Sequence, residues 1–295
     1  IDSKISHDGK YVLYHEPVKM EKINCKDLYS DLDKTTVQVY NALNYRHWDT
    51  YNYGSYNHVF YRLNNEASTG VDIMEGQPYS CPTMPFGGGE DYVWAPDGKS
   101  ILYVSKKVVG TEYANNTNTD IYSYNLETKL TENLTSDNPG YDNHPKFSSQ
   151  GVLAWTQMKR AGYEADKNDI IVNVNGMHKN LTATWDGTVG GFEWAPDGKK
   201  IYFTAAIGGT VQLFEINYPG MTKALPVVQQ LTEGDFDITG IVGFSGDKII
   251  LTRTDFNHAT EIFSYDLKNK IWLQLTHVNT DYYKSISLSK VEKRW

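Results

Sequence analysis

The chain has 295 residues, with 28 Lys and Arg against 36 Asp and Glu and a formal net charge of −8. That length buries a full core, either as one all-β repeat domain or as two smaller domains, and the negative balance argues against a phosphate-binding surface and hence a nucleic-acid partner. No apolar run approaches the length of a membrane span, and Cys25 and Cys81 are too few for a disulfide framework.

In chain order, the first hairpin signal is Ile5-Ser-His-Asp8-Gly9-Lys10 followed by Tyr-Val-Leu-Tyr14. It returns as Trp94-Ala-Pro-Asp97-Gly98-Lys99-Ser-Ile-Leu-Tyr103 and as Trp194-Ala-Pro-Asp197-Gly198-Lys199-Lys-Ile-Tyr-Phe203, with weaker copies at Phe147–Trp155 and Phe244–Leu251. Pro sets φ at the second turn position, Asp-Gly tolerates positive φ, and the run that follows alternates as a half-buried strand does. Each unit has a second half: an alternating strand, a turn and a Leu-Thr pair, at Leu134-Thr135, Leu181-Thr182, Leu231-Thr232 and Leu275-Thr276. A repeat of about 50 residues with four antiparallel strands is a β-propeller blade. The expected fold is therefore all-β, five blade-like units at 5–75, 92–136, 146–183, 192–233 and 241–278.

The first unit carries an insertion at 15–57, in which Asp31–Asn44 has helical character with Asp33 as its N-cap. A loop this long in a compact repeat points to function or interaction. The tail 279–295 reads as one more strand. The start at Ile1-Asp2-Ser3 looks like that of a processed or truncated chain. Cys25 and Cys81 stay open between a pair and two free thiols. Asn115, Asn133 and Asn180 stand in Asn-x-Thr sequences, but the last two belong to the repeated Asn-Leu-Thr, which favours a structural role.

No H-E-x-x-H, C-x-x-C or EF-hand spacing occurs, and Gly243-Phe-Ser245-Gly246-Asp247 is a degenerate turn rather than a nucleophile elbow. No catalytic residue, metal or cofactor is expected in this chain. Three places remain. Arg46-His47-Trp48-Asp49 with His58 offers a cation, imidazoles and an indole to a ligand or partner; the plainer alternative is Trp48 plugging the insertion onto the blades and an Arg46–Asp49 ion pair. Lys159–Lys167, with Arg160, Tyr163, Glu164 and Asp166, offers carboxylates to an ammonium, which needs a paired anion when buried; the alternative is a solvated loop with a local salt bridge. Glu90-Asp91 is more simply two neighbouring acids. Tyr113, Tyr141 and Tyr163 fall in loops.

Four stretches give a resemblance: Tyr45–Asp49 with His58-Val-Phe60, Pro85-Phe-Gly-Gly with Trp94–Lys99, Gly162-Tyr-Glu-Ala-Asp-Lys167, and Val291–Trp295. Together they resemble the propeller domain of the prolyl oligopeptidase family of serine peptidases, on the dipeptidyl and acylaminoacyl peptidase side. The resemblance implies a ring of seven or eight blades capping an α/β-hydrolase domain with a Ser-Asp-His triad. That domain and the first blades are missing from this sequence. It also implies a peptide substrate that the propeller gates and selects. Glu164 is the candidate for the substrate's amino terminus, with Arg160, Tyr163 and Asp166 around it and Arg46, His47 and Asp49 as further candidates. Partners would be the hydrolase domain of the same parent, a peptide and, because an open ring exposes apolar edges, a second copy. The compartment would be periplasmic or extracellular, with the cytoplasm left open. A stand-alone TolB-like propeller that binds a protein or glycan without chemistry is the competing class.

Overall fold

The computed structural model describes residues 2–65, 67–222 and 224–294; Trp295, part of the closing stretch above, lies outside the described residues. In chain order the first strands are β1 (Lys4–Ile5) and β2 (Tyr11–Lys19), followed by a one-turn helix α1 (Cys25–Leu28), a small hairpin β3 (Arg46–His47) and β4 (Thr50–Tyr51), then β5 (Ser55–Leu63) and β6 (Val71–Asp72). Strands β1-β2-β5-β6 make one four-stranded sheet. β2 and β5 pair from Tyr11↔Leu63 to Lys19↔Ser55, so both strands run further than the sequence pattern suggests and the inserted segment is 20–54. The helix expected over Asp31–Asn44 does not form. That stretch is turns and a bridge, Asn24↔Gln38, and the helical turn begins at Cys25 instead. Four polar residues at Asp31, Asp33, Lys34 and Thr35 leave no apolar stripe for a helix to bury.

The second sheet is β7 (Tyr92–Trp94), β8 (Ser100–Ser105), β9 (Asp120–Asn125) and β10 (Thr131–Asn133), with α2 (Thr111–Asn115) between β8 and β9. The third is β11 (Asp142–Phe147), β12 (Leu153–Met158), β13 (Asn168–Val174) and β14 (Met177–Asn180). The fourth is β15 (Val189–Trp194), β16 (Lys200–Ile207), β17 (Thr210–Asn217) and β18 (Gln229–Gln230), and the fifth is β19 (Asp237–Ser245), β20 (Lys248–Asp255), β21 (His258–Asp266) and β22 (Trp272–Gln274). These are propeller blades: four strands paired in chain order, the first sheet being interrupted between β2 and β5 by the insertion and its β3–β4 hairpin. The tail is not a further strand. Thr280–Lys284 forms the one-turn helix α3, and irregular chain follows it.

The hairpin turns behave as the sequence predicts, with one refinement. Gly98 and Gly198 sit at φ 66° and 67° and donate their N–H to the carbonyls of Ala95 and Ala195. Asp97 stays at negative φ; its carboxylate instead accepts the Lys99 N–H at 2.9 Å, an Asx turn. Cys25 and Cys81 are buried, free thiols.

The chain divides into two compact units, Ile1–Phe147 with Trp155–Asp166, and Ser148–Ala154 with Lys167–Trp295. The core of the first is built on Leu13, Val59, Met74, Tyr92, Ile101 and Tyr103, all buried. Trp94 closes it and donates Nε1–H to the Lys4 carbonyl at 2.9 Å. The second has two cores, one around Ile170, Ile201, Phe203 and Phe214, the other around Leu213, Ile249 and Leu251. Inward apolar residues at alternate strand positions supply all three cores.

The Leu-Thr pairs of the sequence have a shared role. Thr135 Oγ1 accepts the Ile121 N–H at 3.0 Å and donates to Asp120 at 3.3 Å. The same hydroxyl recurs between Ile170 and Asp169 (Thr182), Leu213 and Gln212 (Thr232), and Ile262 and Glu261 (Thr276). Asn133 and Asn180 each accept the N–H of the following Thr through Oδ1 at 3.0 Å, the structural role expected of the Asn-Leu-Thr repeat.

Candidate functional site

The loop after β12 is held in shape by its own charges. Arg160 Nη2 and Nε reach Asp166 Oδ1 at 2.8 and 3.0 Å, and the Arg160 N–H donates to Oδ2 at 2.9 Å. The guanidinium stacks on Tyr163, 4.2 Å from its ring centre. Gly162, at φ 79°, reverses the chain and donates its N–H to Thr117 Oγ1 at 2.9 Å, which pins the loop to the segment after α2. Three of the four predicted residues therefore brace one another. The fourth, Glu164, is left exposed and takes no ion-pair partner among the described residues.

Glu164 faces a specific neighbourhood. Its charge acts on Lys106 and on Tyr141. Burial lowers the affinity of the Lys106 amine for its proton, and the carboxylate opposes that shift. Lys106 donates to the Tyr113 carbonyl at 2.8 Å and lies 4.3 Å from the centre of the Tyr113 ring. Burial raises the Tyr113 and Tyr141 hydroxyls, Tyr113 against a hydrogen bond with the Asn44 side chain. Asn44 brings in the insertion, which Tyr56 also ties down by donating to Glu21 Oε1 at 2.7 Å. Burial, then the Glu21 contact, pushes the Tyr56 hydroxyl up to about 12. The arrangement is a half-buried rim of tyrosines with one free carboxylate and one ammonium, suited to a ligand that carries an amine beside hydrogen-bonding groups.

Arg46, His47 and Asp49 sit apart, on the β3–β4 hairpin. The Arg46–Asp49 pair does not form: both are exposed and neither has an ion-pair partner among the described residues. Nor does Trp48 plug the insertion onto the blades. It adopts φ 47° at the hairpin tip, is 74% exposed, and packs beside His47 (4.9 Å between ring centres) and Phe86 (5.6 Å). The aromatic tip points outward because a two-residue connection between β3 and β4 leaves its side chains no blade to reach.

Glu90 of the Glu90-Asp91 pair is exposed. Asp91 is buried and accepts both the N–H and the hydroxyl of Thr83 at 2.7 Å, which orders the glycine-rich turn. Burial nevertheless raises it to about 6. His58 belongs to blade one and is fully buried, so it is not part of a surface constellation with Arg46. Lys106, Tyr56 and Glu21 were not singled out in the sequence. The available signal was the paired Lys106-Lys107 directly after the apolar strand Ile101–Ser105, at the blade end where Tyr113 also falls. Among the described residues no group of three or more His, Cys, Asp or Glu is placed to hold a metal ion, and no helix is long and apolar enough to cross a membrane.

No protein-family model matches the chain. It is 36% identical over 295 residues to dipeptidyl-peptidase 5 of Porphyromonas gingivalis, an alignment covering 98% of this chain and 42% of that protein. The uncomplexed acylaminoacyl peptidase of Pyrococcus horikoshii superposes with a TM-score of 0.66 at 15% identity, covering 97% of this chain and 40% of that one. The chain has a β-propeller fold and is similar in sequence to the propeller-length part of dipeptidyl-peptidase 5. A putative TolB of Agrobacterium tumefaciens shares the fold more distantly, with a TM-score of 0.52 at 16% identity over 92% of this chain and 78% of that protein. The chain spans less than half the length of these curated relatives.

Proposed function

We propose that this propeller selects and orients small peptides for a serine peptidase whose hydrolase domain belongs to the same parent protein. The single observation that carries the reading is the 36% identity to a dipeptidyl-peptidase 5 across 98% of the chain. The local geometry supports it. A dipeptide-releasing peptidase must hold a free amino terminus, and Glu164 is a carboxylate presented on a braced loop beside half-buried tyrosines. Arg160, Tyr163 and Asp166 position that carboxylate. Arg46, His47 and Asp49 line the insertion hairpin, where they would meet the partner domain or the distal part of the peptide. Chemistry would be acyl transfer to a serine outside these residues, with the propeller contributing orientation. The proposed compartment is the periplasm or the cell exterior.

The test uses the gene product that contains this chain. Labelling by a fluorophosphonate together with dipeptide release from substrates with a free amino terminus, and not from their N-acetylated forms, supports the reading. No labelling and no release overturns it, in favour of a binding propeller without chemistry.

A further inference from the structure

Blade one departs from the clasp that the other four blades share. In blade two, Asn133 Oδ1 holds the Thr135 N–H and Thr135 Oγ1 reaches back to Asp120, the residue before the buried Ile121. The corresponding positions in blade one are Asp72, Met74 and His58, by the matching bonds of Ile73 N–H to Val59 O (3.1 Å) and Leu134 N–H to Ile121 O (2.8 Å). Met74 has no hydroxyl. Asp72 takes over both tasks: Oδ1 accepts the Met74 N–H at 2.8 Å, and Oδ2 lies 2.7 Å from His58 Nδ1.

The other ring nitrogen fixes the proton inventory. His58 Nε2 lies 2.9 Å from the Gln77 carbonyl, which only accepts, so Nε2 carries a hydrogen. A neutral ring would then turn the bare lone pair of Nδ1 toward a carboxylate at hydrogen-bond distance. The 2.7 Å contact therefore requires one more proton, shared between Nδ1 and Asp72. His58 is fully buried and water cannot replace that proton's role.

We infer that His58, Asp72 and the Gln77 carbonyl form a proton-dependent clasp that holds the connection from blade one to blade two, closed while the pair keeps its proton and released when it is lost. The charged neighbours are few. Asp72 faces the ring from β6, Glu16 stands opposite His58 in the β2–β5 register, and the Lys107 ammonium holds the far end of Gln77 through Oε1 at 2.8 Å. Of these three charged groups only Asp72 bonds the ring directly, the ring's other bond being to the uncharged Gln77 carbonyl. The segment it governs is also anchored at Ser80, whose hydroxyl accepts the Asn57 N–H and whose carbonyl accepts the Ser105 hydroxyl. Asn57 and Tyr56 precede His58 on β5, and Tyr56 ties the insertion through Glu21, so the clasp is continuous with the tyrosine rim.

The test is a pH titration of the 295-residue chain with histidine ring nitrogens labelled, the His58 signals being assigned by their loss in His58→Gln. At neutral pH both ring nitrogens should read as protonated or share a proton with Asp72. As pH rises, their change should coincide with shifts of the backbone amides of Ile73 to Cys81. Asp72→Asn supplies a permanent N–H to a neutral Nδ1 and keeps an acceptor for Met74, so it should abolish the coupled transition. A bare Nδ1 at neutral pH overturns the proposal. So does a His58 transition that leaves those amides unmoved, or an Asp72→Asn chain that keeps the wild-type transition. With the His58 signals assigned, the wild-type titration decides the matter even if Asp72→Asn fails to fold.

Discussion

Thr182 Oγ1 donates to Asp169 Oδ1 at 2.7 Å and accepts the Ile170 N–H at 3.0 Å, so one buried hydroxyl fastens the outer turn of its blade to an inner strand. Thr182→Val keeps the shape and removes both bonds, leaving the Ile170 N–H buried without a partner. An unmet buried donor costs about 1–3 kcal/mol, and urea denaturation should show a loss in that range. Thr135→Val and Thr232→Val should cost similar amounts, because the same two bonds are lost. A value near zero for all three would mean that the hydroxyl is dispensable to the blade.

Asp142 is fully buried and accepts hydrogen bonds from Trp155 Nε1 at 2.6 Å, Gln157 Nε2 at 2.8 Å and Asn138 Nδ2 at 2.9 Å. Burial nevertheless outweighs those donors and raises its carboxyl to about 7. The folded-state value lies above the unfolded one, so the fold takes up a proton as pH falls. This contribution to stability is fully present below the ordinary aspartate range and is lost as pH rises through about 7. Asp142→Asn should flatten the change in melting temperature between pH 5 and 8 relative to the parent chain, at the expense of roughly one hydrogen bond, ~1 kcal/mol. Asp91, raised to about 6, contributes in the same direction and remains in the variant. An unchanged slope would refute the assignment to Asp142.

Most of the blade architecture is legible in the sequence because its determinants are local. Asp97-Gly98 and Asp197-Gly198 fix turns within four residues, and alternation after them fixes which side chains go inward. The insertion was not legible for the opposite reason. Asp31–Asn44 has no periodic apolar face, and its shape is set by distant anchors such as Cys25 N–H to Val37 O and Tyr40 OH to Asn52 O. The same holds for the site. Glu164 and its braces lie within one short loop and could be read there, whereas Lys106, Tyr56 and Glu21 join it only through the folded chain. Tyr282–Lys290 misled because its apolar residues alternate as in a strand while no neighbouring edge is paired with them.

The two repeated turn glycines allow a controlled comparison. Gly98 and Gly198 share nearly the same φ, 66° and 67°. A Cβ on Gly98 would meet nothing within 4 Å, whereas one on Gly198 would stand 3.2 Å from Ser149 Oγ and 3.3 Å from Gln150 Cγ. Gly98→Ala should therefore report the left-handed backbone alone, about 1–2 kcal/mol. Gly198→Ala should cost more, since Gln150, which donates to the Asp197 carbonyl at 3.0 Å, must also move. Denaturation midpoints of the two variants check the order, and the reverse order would show that a Cβ at 198 packs favourably against Ser149 and Gln150 instead of displacing them.

Glu164→Gln separates charge from shape at the proposed amino-terminal anchor. If the carboxylate binds the substrate ammonium, its loss removes a charge-assisted bond worth about 1.5–3 kcal/mol, a rise in KM of roughly tenfold to a hundredfold. kcat should change less, because the anchoring contact is made equally in the ground and transition states. The Arg160–Asp166 brace gives a second handle. Asp166→Asn loosens the loop without touching the anchoring carboxylate, so it should raise KM less than Glu164→Gln and add little to it in the double variant. If Glu164→Gln leaves KM for free-amine and N-blocked peptides in the same ratio as before, the anchor lies elsewhere on the rim. The tyrosine cluster around Lys106 is then where the selection is made.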